Sequence, residues 1–321
     1  MDSSVLSELV IACEIGGTKL QAALGTRDGL IVHRLRGTAP AAQGARAVLA
    51  WFDGAVRQLA DVAAARDARV VGLGAGFGGP IESATGRVLV SHQVSGWDDV
   101  PLKAWFEDNF SYPTAIINDS NAAGWAEYCL GAGKGTRTFC YMNIGSGIGG
   151  AIVIDGKLQD GQGFGAAEIG HTYIPDWTHT TAGIPDKVEN LCSGWALERR
   201  VRANAPLPAA SPLAQLCNGH REQITCAMLA QAAAQGDAYA LVAIEEVALG
   251  IGTALSNVIT LLHPERIAMG GGVSLMGDIL LDPIRRHVDA LVFRPYRNRY
   301  EIVPAALGED VVLAGGLLLA P

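Results

Sequence analysis

Apolar residues recur along the chain at two spacings, and the switches between them mark out the elements. Short apolar runs at Leu9–Glu14, Leu20–Leu24 and Leu30–Leu35 predict three strands, with Arg27-Asp28-Gly29 turning between the last two. From Ala45 to Ala65 the period lengthens: Val48, Leu49, Phe52, Val56, Leu59 and Val62 share one broad face, the pattern of an amphipathic helix. Val70–Ala75 is again strand-like and ends in Gly76-Phe77-Gly78-Gly79-Pro80. Leu102–Phe110 reads as a helix behind Pro101, and Thr114–Ile117 as a strand that stops at Asn118. The first 120 residues therefore predict β-β-β-α-β-α-β.

The remainder follows a related plan. A helix is expected from about Asn121 to Leu130, then strands at Thr138–Ile144 and Ala151–Ile154 around a glycine turn, Gly145–Gly150. Asp155-Gly156 is a hairpin signal. Helices are expected at Val188–Arg202, Gln223–Gln235 and Ala238–Leu262, the last stopped by His263-Pro264. Arg266–Met269 is a strand running into Gly270-Gly271-Gly272, Asp282–Leu291 is helical, and Val311–Leu319 is a closing apolar helix. Two halves with strands, a glycine turn and then helices hint at duplicated domains around a cleft.

The glycine turns at strand ends are where chemistry enters. In Glu14-Ile15-Gly16-Gly17-Thr18-Lys19, two glycines let backbone N–H groups approach an anion, Thr18 adds a hydroxyl and Lys19 a cation. Glu14 is a candidate for holding magnesium through water, since hard cations take oxygen ligands. A ligand-free hairpin is the plainer account of this turn taken alone, and the spacing is not that of a Walker A loop. Asp119 follows a strand and precedes a helix, where a carboxylate can take the proton of an attacking hydroxyl. The local pattern alone favours a helix cap there, with Asn118 or Ser120 sharing the work. Glu168, His171 and Glu189 supply the alternating acceptors and donors a polyol needs, although each also has an ordinary structural explanation. Gly145–Gly150, with Ser146 donating, is a candidate for holding β- and γ-phosphates, and Gly270–Gly272 for lying against adenine or ribose, while a hairpin turn and a strand-to-helix turn are the plainer accounts of each taken alone.

Composition narrows the classes. With 321 residues, 49% hydrophobic and 17% charged, the chain is long enough for two domains with separate cores. A net charge of −8 without a Lys/Arg run argues against nucleic acid or an anionic membrane as partner. The six cysteines form no C-x-x-C pair and read as reduced thiols. No basic stretch precedes the first apolar run, and no apolar run is expected to approach a membrane span, so the expected location is cytoplasmic.

The ordered series of motifs resembles the ROK family of sugar kinases, within the actin-like ATPase superfamily that also holds hexokinase. The matching pieces are Glu14–Lys19, Gly96-Trp97, Asn118–Ala123, Ile144–Gly150, Ala167–His171, Glu189 with Ser193-Gly194, Gly270–Val273 and Ala305–Gly308. The resemblance implies an α/β fold of two actin-like ATPase (ribonuclease H-like) domains, each a mixed β-sheet flanked by helices, around a central cleft. It places the small domain at residues 1–119 plus about 304–321 and the large one at 120–303. It implies ATP and Mg²⁺ as cofactors and Asp119 as catalytic base. Gly79, Asn118, Glu168, His171 and Glu189 join Asp119 as sugar contacts. Gly16, Gly17, Thr18, Lys19, Ser146 and Gly147 fall at the phosphates, and Gly271 and Gly272 near adenosine. The expected partners are a small sugar and ATP, and the expected assembly a homodimer.

Three departures stand out. Many members carry a C-x-C-G-x-x-G-C zinc cluster after the histidine, whereas residues 172–188 hold no cysteine, so no thiolate zinc site is expected and another group must orient His171. His92-Gln93-Val94 stands where Asn-Leu usually precedes Gly-Trp, and Glu14 replaces an aspartate. No helix-turn-helix pattern precedes Glu14, which favours the kinase over the repressor branch. The expectation is ATP-dependent phosphorylation of a hexose hydroxyl, O6 of a glucose-like sugar first. Fructose, mannose or N-acetylmannosamine as substrate, and a non-catalytic sugar sensor, are the alternatives; polyphosphate as donor ranks low.

Overall fold

The computed structural model describes residues 7–17, 19–38, 43–91, 94–178, 184–203 and 207–321. Thr18, His92, Gln93 and His179 lie outside them. The chain divides into two compact units, Met1–Lys134 with Ala151–Ala166 and Leu307–Pro321, and Gly135–Gly150 with Ala167–Ala306.

The first unit opens on β1 (Ser7–Ile15), β2 (Lys19–Gly25) and β3 (Ile31–Thr38), an antiparallel meander. It continues through α1 (Gly44–Ala64), β4 (Ala68–Phe77), the small hairpin of β5 (Ile81–Glu82) and β6 (Arg87–Val88), α2 (Leu102–Phe110), β7 (Thr114–Asn118) and α3 (Asp119–Leu130). Its sheet runs β3-β2-β1-β4-β7, with β4 parallel to both β1 and β7. Side chains alternate across a strand, so a strand covered on both faces is apolar throughout. Leu9, Ile11, Cys13 and Ile15 of β1 join a core with Val48, Phe52, Val56 and Leu59 of α1, while Val10 and Ala12 point to the opposite face.

A second sheet, in the order β10-β9-β8-β13-β14, repeats that strand order one for one. It is built from β8 (Thr138–Ile144), β9 (Ile148–Ile154) and β10 (Lys157–Leu158), with the expected tight turn at Asp155-Gly156, both at positive φ. A hairpin of β11 (Tyr173–Pro175) and β12 (Pro185–Lys187) precedes α4 (Val188–Cys192), α5 (Gly194–Ala203), α6 (Pro212–Leu216), α7 (Cys226–Ala234) and α8 (Ala238–Leu262). Then come β13 (Arg266–Gly270), α9 (Asp278–Leu291), β14 (Glu301–Pro304) and α10 (Val311–Leu319). Both β8 and β14 run parallel to β13.

Several expectations need correction. The order β-β-β-α-β-α-β misses the β5–β6 hairpin, whose two-residue strands are too short to show a period, and the helices expected from Gln223 and Asp282 start at Cys226 and Asp278. The Gly145–Gly150 turn is shorter, because β9 already begins at Ile148. The helix expected over Val188–Arg202 is two helices, broken where Ser193 is extended. The break is tertiary: Gly194 N donates to Gly145 O at 2.8 Å, which draws the chain onto the glycine turn. Finally, α8 is long and apolar enough, by length and composition, to cross a membrane, contrary to the expected absence of such a run. More than half of that stretch is buried in the fold, and its acidic pair is engaged: Glu245 with Arg286 and His287 of α9, Glu246 with Arg200 of α5.

In the first unit α10 lies against β1, β4 and α3. Leu313 and Leu317 fill the face left by Val10 and Ala12. The approach is close because both sides lack side chains: a Cβ on Gly74 would overlap the Gly316 carbonyl, and one on Gly315 the Ala122 carbonyl. The start of α3 is thus backed by a helix packed at glycine distance.

Candidate active site

In the first unit the predicted residues gather at the C-terminal ends of three parallel strands, the usual place for ligands in such sheets. Register puts Glu14 of β1 beside Gly76 of β4, and Phe77 of β4 beside Asn118 of β7. The strand ends are cross-tied. Gly78 N donates to Ile15 O at 2.9 Å, and Asn118 Nδ2 donates to Gly79 O at 3.2 Å. Gly16 N donates to Lys19 O at 3.2 Å and closes the first glycine turn around Gly17. Lys19 Nζ lies 3.9 Å from the Glu309 carboxylate at the surface.

The structure divides the Asn118-Asp119 corner into two jobs. Asn118 is the N-cap of α3: its Oδ1 accepts from Ser120 N at 2.9 Å and from Asn121 N at 3.1 Å. The cap that the local pattern offered to Asp119 is therefore taken by its neighbour. Asp119 occupies the first helical position, where the positive end of the helix dipole favours a carboxylate. Its Oδ1 accepts from Ser120 N at 2.7 Å, and its Oδ2 lies over the Gly78 backbone, 3.4 Å from where a Cβ would stand.

Glu14 has a partner that the sequence reading missed. Gln21 is fully buried, donates from Nε2 to Glu14 Oε2 at 2.6 Å and accepts from Arg36 Nε at 3.1 Å. The available signal was an amide at 21 inside the apolar run Leu20–Leu24. Burial pushes the Glu14 carboxyl above the ordinary range; the Gln21 hydrogen bond and Lys19 pull it back, while Asp310 and Glu309 push it further. A carboxylate kept near the surface of a buried network by one amide suits a hydrated hard cation, so the residues fit magnesium held through water.

A raised carboxyl pKa means that the folded state holds the proton more tightly than the unfolded chain. The associated stability is complete below the unfolded value, about 4.3, and is lost as pH rises through the folded value. Glu14→Gln is accordingly expected to gain thermal midpoint relative to wild type as pH goes from about 4.5 to about 8. Thermal melts across that range check this; a midpoint difference that shrinks with rising pH contradicts it.

In the second unit β8 and β13 end side by side, with Asn143 paired to Gly270, so the Gly145 and Gly271 turns are neighbours. Gly271 has φ +83° and packs so close to Ile144 that a Cβ would fall 2.5 Å from its carbonyl oxygen. A Cβ on Gly272 would meet nothing within 4 Å. Ser146 is exposed at the tip of its turn. Glu189, in the first turn of α4, reaches that turn: its Oε2 accepts from Ile148 N at 2.8 Å and sits against Gly147. Asn143, which sequence reasoning passed over, carries a buried Oδ1 without a protein partner immediately before this turn.

Glu168 and His171 bracket a short 3₁₀ turn, Ile169–His171, in which His171 N donates to Glu168 O at 3.0 Å. Burial of the Glu168 carboxyl raises it; His171 lowers it and Glu189 raises it again, so the three groups share one field. His171 Nδ1 faces Lys187 Nζ at 3.1 Å.

Glycine turns thus stand at strand ends in two sheets of identical order, and Asn118 rather than Asp119 caps α3. The sequence profile of the ROK family covers residues 10–321. The chain belongs to the ROK family. It is 33% identical to the glucokinase of Streptomyces coelicolor over 97% of each chain. It is 31% identical to the glucokinase of Halalkalibacterium halodurans over 95% of this chain and 93% of the relative. A ROK family glucokinase from Streptomyces griseus, solved with glucose and AMPPNP, matches with a TM-score of 0.82 at 32% identity, over 97% of this chain and 99% of that one. The α/β architecture of mixed sheets flanked by helices is that of the ROK and actin-like ATPase structures.

Proposed function

We propose that the protein transfers the γ-phosphoryl group of ATP to the O6 hydroxyl of a glucose-like hexose, with Asp119 as the general base. It is a carbohydrate kinase of the ROK family. The observation that carries the finer reading is the corner at the end of β7, where Asn118 supplies the cap and the adjoining Asp119 directs Oδ2 over Gly78. A carboxylate so placed accepts the hydroxyl proton as the oxygen attacks phosphorus.

Asn118, Gly79, Glu168, His171 and Glu189 bind the sugar by hydrogen bonds. Gly16, Gly17, Thr18, Lys19, Ser146 and Gly147 bind the phosphates, and Gly271 and Gly272 take the adenosine. Glu14 would hold magnesium, which would supply neutralisation of phosphate charge. Glu189 is anchored to the Ile148 amide, which supports coupling of sugar binding to the phosphate turn. We extend the proposal to a cytoplasmic homodimer, in keeping with the acidic composition and the prevalence of symmetric pairs.

The test is ADP release with ATP across glucose, mannose, fructose and N-acetylmannosamine, with 6-deoxyglucose as control. Glucose is expected to give the highest kcat/KM and 6-deoxyglucose no turnover. Sugar binding without any ADP release would defeat the kinase reading, and turnover of 6-deoxyglucose would defeat the O6 assignment.

A further inference from the structure

We propose that Lys187 is the positioning residue for His171: its ammonium donates to Nδ1, so that the ring presents Nε2–H, and the β11–β12 hairpin is the clamp that holds the pair. This rests on the kinase reading for its consequence, though not for its geometry. Lys187 Nζ lies 3.1 Å from His171 Nδ1. An ammonium has three donors and no acceptor, so Nδ1 must accept, and in a neutral imidazole the proton then resides on Nε2.

The meeting is built into the backbone. Hairpin register sets Tyr173 opposite Lys187, and Val188 N donates to Thr172 O at 2.9 Å, so the chain on either side of the pair is hydrogen-bonded. The hairpin is anchored in turn. Ile174 is buried, and the Trp177 ring and the Cys192 thiol both crowd Gly250 of α8, where an added Cβ would overlap them. The Arg200 guanidinium lies 5.9 Å from the centre of the Trp177 ring. The acid nearest in sequence is committed elsewhere: Asp186 Oδ1 accepts from Lys187 N at 2.7 Å and Asn190 Nδ2 at 2.8 Å.

Residues 172–188 contain no cysteine, so no thiolate from that stretch competes for His171 Nδ1, which faces the Lys187 ammonium. The result is a matched pair toward a polyol. His171 Nε2–H donates to one hydroxyl oxygen, and a Glu168 carboxyl oxygen accepts from another.

The test uses full-length enzyme carrying ¹⁵N-histidine, with His171 assigned by its loss in His171→Asn. Long-range ¹H–¹⁵N spectra of wild type are expected to show His171 protonated at Nε2 and bare at Nδ1. Lys187→Met should shift it toward a tautomer mixture, and Lys187→Arg should restore it. In parallel, Lys187→Met is expected to raise the sugar KM about tenfold, with kcat and the ATP KM changed far less, and Lys187→Arg to recover most of the loss. A wild-type ring carrying its proton on Nδ1 overturns the proposal, even if Lys187→Met does not fold. So do spectra and a sugar KM that Lys187→Met leaves unchanged. If wild type phosphorylates no sugar, the kinase reading fails while the spectra still decide the Lys187–His171 pair.

Discussion

Asp119→Asn is expected to lower kcat for ATP-dependent sugar phosphorylation about a thousandfold, the scale of a lost general base. Sugar affinity by calorimetry should stay within about tenfold, because one hydrogen bond to the sugar changes character rather than disappearing. Stability should change by no more than about 1 kcal/mol, the worth of a carboxylate at a helix N-terminus. That separation is predictable because Asn118, not Asp119, caps α3. The substituted amide can still accept from Ser120 N as Oδ1 does now. Turnover within tenfold of wild type would remove Asp119 from the chemistry. A large loss of stability would instead return it to the structural role that the local pattern favoured.

The second large effect is on folding. Gly74→Ala places a methyl group inside the Gly316 carbonyl, and the obstructing atoms are backbone on both sides, so no rotamer change relieves them. The loss should be about 3 kcal/mol or more, a large share of the 5–15 kcal/mol that holds a typical domain together, and it should show as a lower urea midpoint and poor soluble yield. Gly54→Ala is the matched control. It lies in the exposed middle of α1 with nothing within 4 Å of a new Cβ, and should gain up to about 1 kcal/mol from helix propensity. Equal midpoints for the two variants would contradict the glycine-spaced packing of α10 on β4. Since α10 also backs α3, the same substitution tests whether the start of that helix depends on this packing.

Legibility differed with the range of the forces involved. Leu102–Phe110, Thr138–Ile144, Ala238–Leu262 and Val311–Leu319 begin and end where local spacing places them, because apolar periodicity and the proline or glycine that ends a run act within a few residues. The break at Ser193 was hidden, since its cause is a hydrogen bond between Gly194 and Gly145, nearly fifty residues earlier. Gln21 was readable only as an anomaly; that it serves Glu14 required β1 and β2 to pair in their actual register.

By itself, the sequence determined most of the longer strands and helices, the glycine turns that follow strands, the candidate residues Glu14, Asp119, Glu168, His171 and Glu189, and the resemblance to ROK kinases. These depend on residue type and on neighbours close along the chain. Only the tertiary structure decided which of Asn118 and Asp119 caps α3, that Glu189 holds the Ile148 amide, and that Lys187 stands beside His171. Each of those is a contact of a few ångströms whose direction depends on where other strands and helices have already packed, and a side chain's identity carries no record of that.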